Sequence, residues 1–425
     1  MTVEWLENIK ARVIEKFADR DNETGSEQRD SVYPDTLNTF IWNAVIERAT
    51  DVHLHCVKDG VRVLYRVDGI VHPRIVLSHA EGHKLLNQLK GAAGLDAVRS
   101  FCPKEGQIVW SHQDVKCDIR VTVTPVQERE SAHLRLLSMD TERWDVSQLG
   151  LSDRDRQRIS DSLYGHSGLV LITGGTGSGK TTSMYSLAAT MELDASTTYS
   201  IEDPVEFKLP FAQQIEVDER HGLTMHEGLR TILRMDPDLI MVGEIRDRDS
   251  AVVAARAALS GKLVLATIHA QSAAGAVDSL HYLGVPHHII GSSLRMVMAQ
   301  TLVRRLCPSC SQQRGLSPEE KDLFDRFDIA APEQMHVAQG CPTCNSYGYR
   351  GRIGLFEVAP LEESLRSVIS QGAHHHDIAL QMEQQGIRSL IHDGLGKVAD
   401  GITSLDELYR VFGSQISMPA GIESA

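Results

Sequence analysis

Residues 169–182 read LVLITGGTGSGKTT, a short apolar run that leads straight into a glycine-rich loop ending in Lys-Thr. The pattern commits the chain to a strand, a tight loop and a helix in succession. Gly174 and Gly179 bracket the form G-x-x-x-x-G-K-T, with Gly175, Thr176, Gly177 and Ser178 between them. Glycines let backbone N–H groups close on phosphate oxygens, and the helix opening through Lys180, Thr181 and Thr182 presents its positive end to them. Lys180 is placed to reach β and γ phosphates. Thr181 is placed to offer its hydroxyl to Mg²⁺, a hard cation that keeps several waters and takes few protein oxygens. ATP and Mg²⁺ are the ligands this loop implies.

Composition narrows what surrounds the loop. The chain has 425 residues, 42% apolar and 24% charged, which suits a soluble protein of two or three domains. Its formal net charge of −14 argues against a surface made for non-specific binding to nucleic acid or anionic lipid. No run approaches the roughly 18 to 20 apolar residues of a membrane span, and no basic-then-apolar leader opens the sequence. A cytoplasmic protein is expected. Of the 7 cysteines, four form two close pairs, Cys307-Pro-Ser-Cys310 and Cys341-Pro-Thr-Cys344. Two such pairs supply four thiolates to one tetrahedral ion, so a closed, structural Zn²⁺ site is expected, with redox dithiols as the alternative. Cys56, Cys102 and Cys117 are scattered and read as small, partly buried hydrophobes.

Along the chain, Trp5, Leu6, Ile9, Val13 and Phe17 fall near helical spacing, and DRDNETGSEQRDS follows as a polar linker, so 1–34 read as a helix and a linker. Residues 35–140 read as a small α/β domain, with strands in VRVLYRVDGIVHPRIV, turning at Asp68-Gly69, and in DIRVTVTPV. A connector is expected over 141–152. From 153 to 425, apolar strands (GLVLIT, TTYSIED, DLIMVGE, KLVLATIH) alternate with helical segments, the pattern of a doubly wound, mostly parallel sheet. Within this region 305–350 form the tetracysteine zinc subdomain, followed by C-terminal helices. His374, His375 and His376 are read as solvated surface.

Two acidic groups follow the loop. In DLIMVGEIRD, Glu244 ends a buried strand, where a Mg²⁺-associated carboxylate belongs. In IEDPVEF, Glu202, Asp203 and Glu206 follow another strand. Hydrolysis needs a carboxylate to orient or deprotonate water; Glu206 is the first candidate and Glu244 its rival.

GGTGSGKTT, IEDPVEF, ILRMDPDLIMVGEIRD, TIHAQSAAGAV and the paired CxxC motifs together resemble the type II secretion and type IV pilus assembly ATPases, from about Asp35 to Val411. The resemblance implies a smaller N-terminal domain and a RecA-like P-loop NTPase domain assembling as a hexameric ring. It implies that Glu206 is the catalytic glutamate and Glu244 the glutamate associated with Mg²⁺. Arg120 in DIRVTVTP and Arg135 in LRLL match arginines that reach nucleotide phosphates, and His269 matches the second histidine of the histidine box. The tetracysteine element is typical of assembly members and absent from retraction motors. The implied activity is Mg²⁺-dependent ATP hydrolysis powering pilus assembly or protein secretion. The implied location is cytoplasmic and peripheral at the inner membrane, through a platform protein; the acidic net charge argues against direct nucleic-acid contact. Some positions depart from the family: Lys262 stands at the first histidine, Gln107 where arginine is common, and Arg129-Glu130-Ser131 for the usual Gly-Glu-Arg. The docking domain of many relatives is reduced to about 34 residues, which leaves recruitment by the usual platform open. Two other readings stay in view. A nucleotide-binding scaffold with little turnover is suggested by Lys262 and the altered segment near Arg129. A DNA uptake or conjugation translocase is disfavoured by the acidic charge and the lack of a basic, aromatic-rich stripe.

Overall fold

At Asp68-Gly69 the chain reverses as the sequence predicts: φ values of 49° and 88° put both residues in the left-handed region that a two-residue hairpin turn of the primed type demands. The computed structural model describes residues 35–416 apart from 113–114, 128, 139–143, 165–166 and 192–195, so the helix and linker expected over 1–34 lie outside the described residues. The chain divides into two units, Met1–Asp140 and Thr141–Ala425.

The first unit runs α1 (Asp35–Ile46), β1 (Ala49–Val57), β2 (Gly60–Val67), β3 (Ile70–Leu77), α2 (His79–Ala92), β4 (Lys104–His112), β5 (Val115–Val126) and β6 (Arg129–Ser138). Its six strands pair in the order β3-β2-β1-β6-β5-β4, every pair antiparallel. This differs from an interleaved α/β arrangement, because hairpins rather than helical crossovers join most strands. Alternation along β5 assigns the faces: Cys117, Ile119, Val121 and Val123 are buried, while Asp118, Arg120, Thr122 and Thr124 are only partly so. One face thus makes a core, and the other is polar. Leu37 and Ile41 of α1 and Leu85 and Leu89 of α2 are buried. Trp110, fully buried on β4, donates from its indole Nε1 to Asn38 on α1 at 2.9 Å. Lys90 is also fully buried; its Nζ donates to the carbonyls of Ala97 and Val98 and pairs with Glu130 at 3.0 Å. Glu130 therefore pins the segment after α2, a structural task inside the Arg129-Glu130-Ser131 run.

The second unit continues α3 (Asp153–Leu163), β7 (Gly168–Thr173), α4 (Lys180–Ala189), β8 (Thr198–Glu202), β9 (Gln213–Glu216), α5 (Met225–Ile232), β10 (Leu239–Val242), α6 (Arg248–Leu259), β11 (Leu263–Ile268), α7 (Ala273–Tyr282), α8 (His287–Ser293) and β12 (Leu294–Leu306). Then come β13 (Gln312–Gly315), α9 (Pro318–Arg326), β14 (Gln334–Val337), β15 (Tyr349–Pro360), α10 (Glu363–Ser370), α11 (His375–Gln384), α12 (Leu390–Ala399) and α13 (Leu405–Phe412). Seven strands form one sheet in the order β15-β12-β7-β11-β10-β8-β9, parallel except where β15 pairs with β12. The mostly parallel sheet expected from the sequence is present. Its inner strands read as unbroken apolar runs because both faces are covered: Leu169 and Leu171 of β7 join one core, Val170 and Ile172 the other.

Residues 144–152, read from sequence as connector, pack into this unit. The Trp144 ring stands edge-on to Tyr185 at 5.0 Å and to Phe207 at 5.4 Å, and Leu151 is buried. Around the cysteines, β13 and β14 pair as a small antiparallel ribbon, and Phe324 and Met335 pack with Val303, Leu355, Leu395 and Leu408. Beneath them Glu407, fully buried, is bonded by Arg304 and Arg410, each at 2.7 Å. The histidine run is exposed at the start of α11, where His375 pairs with Asp278 at 2.8 Å. No helix among the described residues is long and apolar enough to cross a membrane.

Candidate nucleotide site and cysteine cluster

Four parallel strands, β7, β8, β10 and β11, bring their C-terminal ends to one edge, the edge where open α/β sheets bind ligands. At the end of β7 the chain enters the glycine loop. Gly177 and Gly179 have φ of 74° and 88°, values a side chain resists, and Gly179 caps the start of α4. Gly174 is needed for space, since a Cβ there would lie 2.3 Å from the carbonyl oxygen of Gln300. Lys180 folds back over the loop, its Nζ donating to the carbonyls of Gly174 and Gly175 at 2.9 and 3.1 Å. Burial pulls its pKa down, while the carboxylates of Glu244 and Glu206 act on it in the opposite sense.

His269, just past β11, connects the loop to the acids. Its Nδ1 lies 3.1 Å from the Gly174 carbonyl and 3.5 Å from Lys180 Nζ, and its Nε2 pairs with Glu244. Glu244 also accepts from Arg246, whose guanidinium reaches Asp203 at 3.1 Å. Arg246 was not singled out from sequence; its place two residues after Glu244 in GEIRD was the available signal.

The acids of IEDPVEF separate cleanly. Glu202 is 2% exposed and accepts from Tyr185 on α4, from Ser200 at 2.6 Å and from Gln214 at 3.1 Å, so it anchors the segment from within. Asp203 and Glu206 are exposed. Thr181 is partly buried at the first turn of α4 and Thr182 is exposed. Lys262 lies at the opposite end of β11 from His269, roughly 20 Å away at about 3.3 Å per strand residue, and its Nζ pairs with Asp236 at 2.9 Å. Within this unit it pairs with an acid and is remote from the phosphate loop.

Arg120 and Arg135 belong to the first unit, where they face each other across β5 and β6. Arg135 Nε bonds Asp51 at 3.2 Å, and the same carboxylate takes His133 at 3.0 Å. Hydrogen bonds from His133 and Thr50 and the nearby Arg135 hold the Asp51 pKa well below the usual range, against the cost of burial. Gln107 donates to Asp118 at 2.7 Å, and the Arg129 guanidinium lies against the His79 ring.

Glu357 on β15 was also missed. It accepts from the backbone N–H of Ala273 at 3.2 Å, behind the His269 segment, and burial pushes its pKa up from 4.5 to about 7. The fold favours its protonated form, so stability is intact below the unfolded pKa and is lost as pH rises through the folded one. Glu357→Gln keeps the carbonyl acceptor, so it is expected to stabilise the protein by about 3 kcal/mol at pH 8 and by almost nothing at pH 4.5. Urea midpoints at the two pH values measure the difference.

Cys307, Cys310, Cys341 and Cys344 place their sulfurs within 4.8 Å of one another. Three of the Sγ–Sγ separations are 3.9, 3.8 and 3.8 Å, close to the ~3.8 Å edge of a tetrahedron with Zn–S bonds of about 2.3 Å. Backbone N–H groups of Gly340, Cys341 and Gly348 point at Cys310 and Cys344 sulfurs at 3.2–3.3 Å, as thiolates require. The donor set fits one zinc ion with no open position.

The family model for Type II/IV secretion system proteins matches residues 26–410. The chain is 36% identical over 375 residues to Type II secretion system protein E of Pseudomonas aeruginosa, covering 88% of this chain and 74% of that one. It is 36% identical over 381 residues to Type II secretion system ATPase E of Vibrio cholerae, with the same coverage of 88% and 74%. Among solved structures, the Legionella pneumophila ATPase DotB superposes with a TM-score of 0.67 at 21% identity, over 91% of this chain and 98% of that one. The pilus retraction motor PilT with bound ADP gives 0.57 at 21% identity, over 90% and 97%. These two share the fold. With a family model spanning nearly all the described residues, the chain belongs to the Type II/IV secretion system protein family.

Proposed function

We propose that this chain is a Mg²⁺-dependent ATPase that works as a hexameric ring in the cytoplasm, bound through a platform protein to the inner membrane, and powers protein secretion or pilus assembly. The observation that carries the reading is the connected cluster at the strand ends: Lys180 on the loop carbonyls, His269 beside Lys180, and Glu244 on His269. The names of the relatives from Pseudomonas aeruginosa and Vibrio cholerae favour secretion.

In this reading the loop N–H groups of 174–182 and Lys180 take the phosphates, and Lys180 exchanges its two carbonyl partners for β and γ oxygens. Thr181 and Glu244 would hold Mg²⁺, which would supply positive charge against that of the phosphates. Glu206 orients the attacking water. His269 couples Glu244 to the loop, so a change at the γ position is felt by both. Arg120 and Arg135 supply positive charge to the transition state of a site completed in the ring. The four cysteines hold zinc and fix the fold around β13 and β14. Force generation requires that ATP, ADP and the empty site prefer different arrangements, since a ligand with equal affinity for two states shifts neither. Lys262, the departure that suggested a low-turnover scaffold, pairs with Asp236 and leaves the phosphate loop untouched.

Glu206→Gln tests the assignment of the base. It is expected to lower turnover by roughly 10²- to 10⁴-fold, the range for a positioned general base, with ATP affinity kept. Unchanged turnover would move the role to another residue.

A further inference from the structure

Behind the phosphate loop stands Gln300, a residue that neither its neighbours in sequence nor the acidic groups point to. β7 ends at Thr173, beside Ala299 of β12, yet β12 runs on to Leu306. Its next residues therefore line the back of the loop as β7 gives way to it. A Cβ on Gly174 would lie 2.3 Å from the Gln300 carbonyl oxygen, and one on Gly179 would lie 3.3 Å from Gln300 Nε2, so this one residue backs both bracketing glycines.

Gln300 is 2% exposed, and its Nε2 donates to the carbonyl oxygen of Ser178 at 2.7 Å. Its Oε1 and the nearby Ser178 Oγ are buried without hydrogen-bond partners. A buried acceptor left unpaired is costly, and an apolar side chain of the same shape would fill the space more cheaply. Packing alone does not account for an amide here.

The planar trans peptide between Ser178 and Gly179 does account for it. Its C=O and N–H point in opposite directions. A Ser178 carbonyl tied to the rear wall by Gln300 sends the Gly179 N–H to the front, where phosphate oxygens would be taken. Released, the same peptide could turn its oxygen forward and repel them. The geometry points to Gln300 as a positioning residue of the phosphate site, which holds the Ser178–Gly179 peptide with its donor facing the anion. The inference rests on the reading of 174–182 as the phosphate site. It predicts that Gln300 governs nucleotide affinity and contributes little to the chemical step.

The test is Mg²⁺-ADP and Mg²⁺-ATP binding to the full chain by calorimetry, together with KM, kcat and the melting temperature, for Gln300→Met, Gln300→Glu and Lys180→Ala. Gln300→Met removes the donor and the unpaired acceptor at nearly constant volume. Expected is an affinity loss of about tenfold for ADP and ATP alike, one charge-directed N–H being lost, with kcat within about twofold and an unchanged or raised melting temperature. Gln300→Glu puts a carboxylate behind the same carbonyl and is expected to weaken both nucleotides further. Wild-type affinities in a folded Gln300→Met or Gln300→Glu protein would overturn the proposal, as would a lowered melting temperature with affinities unchanged. Lys180→Ala separates this failure from that of the underlying reading. If it binds ATP as the wild type does, the phosphate site is misplaced; if it alone is weakened, only the role of Gln300 falls.

Discussion

Lys180→Ala is expected to lower Mg²⁺-dependent ATP hydrolysis by at least about 10³-fold while leaving the fold intact, the loss exceeding that of one oxyanion donor because a full positive charge is removed. The two effects separate because of where Lys180 sits. Its ammonium bonds the carbonyls of Gly174 and Gly175 and reaches His269 at 3.5 Å, all at the loop surface, so its removal takes no side chain out of the core. The helix it begins is held by Met184, Tyr185, Leu187 and Ala188, all fully buried, and alanine is the best helix former. Phosphate release and circular dichroism on the same preparation check both halves. Residual activity above a tenth of wild type, with the fold kept, would mean that phosphate is bound elsewhere.

The second large effect concerns the cysteines. Cys341→Ser is expected to cost the segment around 305–350 about 10 kcal/mol, the scale of a structural zinc site, and to reduce bound zinc from one ion per chain to none. Of the eight residues of the β13 and β14 ribbon, Met335 alone is buried, too little apolar packing to hold the ribbon without the ion. Residues of β12 and β15 that enter the main sheet should be spared, because β12 is held there by its ladders to β7 on one side and β15 on the other. Hydrogen exchange would show rapid exchange confined to 307–348, with 168–173 and 263–268 still protected. A zinc-free wild type with the same protection would contradict the assignment.

What the sequence made legible follows from how local each signal is. The glycine loop, its strand and its helix are contiguous, and the left-handed φ of Gly177 and Gly179 is a requirement that glycine alone meets readily. The zinc set is two local pairs. Its closure into one cluster depends on the fold, yet the spacing already limits the outcomes. In IEDPVEF sequence order did not reveal that Glu202 points inward, since its partners Tyr185 and Gln214 come from α4 and β9. Trp144 looked like connector because its packing against Tyr185 and Phe207 is a tertiary fact. Lys262 and His269, seven residues apart, fall at opposite ends of β11, which the pattern KLVLATIH could have shown had its strand been laid out in full. Gln300 and Glu357 were illegible, because each matters through what a neighbouring strand or helix brings beside it.

The most direct test is phosphate release from ATP with Mg²⁺ over a range of protein concentrations, with Lys180→Ala as the blank. Specific activity above that blank, rising with concentration as copies assemble and complete one another's sites, is the predicted result. No release above the blank at any concentration, with the membrane platform protein supplied, would contradict a motor and leave a nucleotide-binding scaffold.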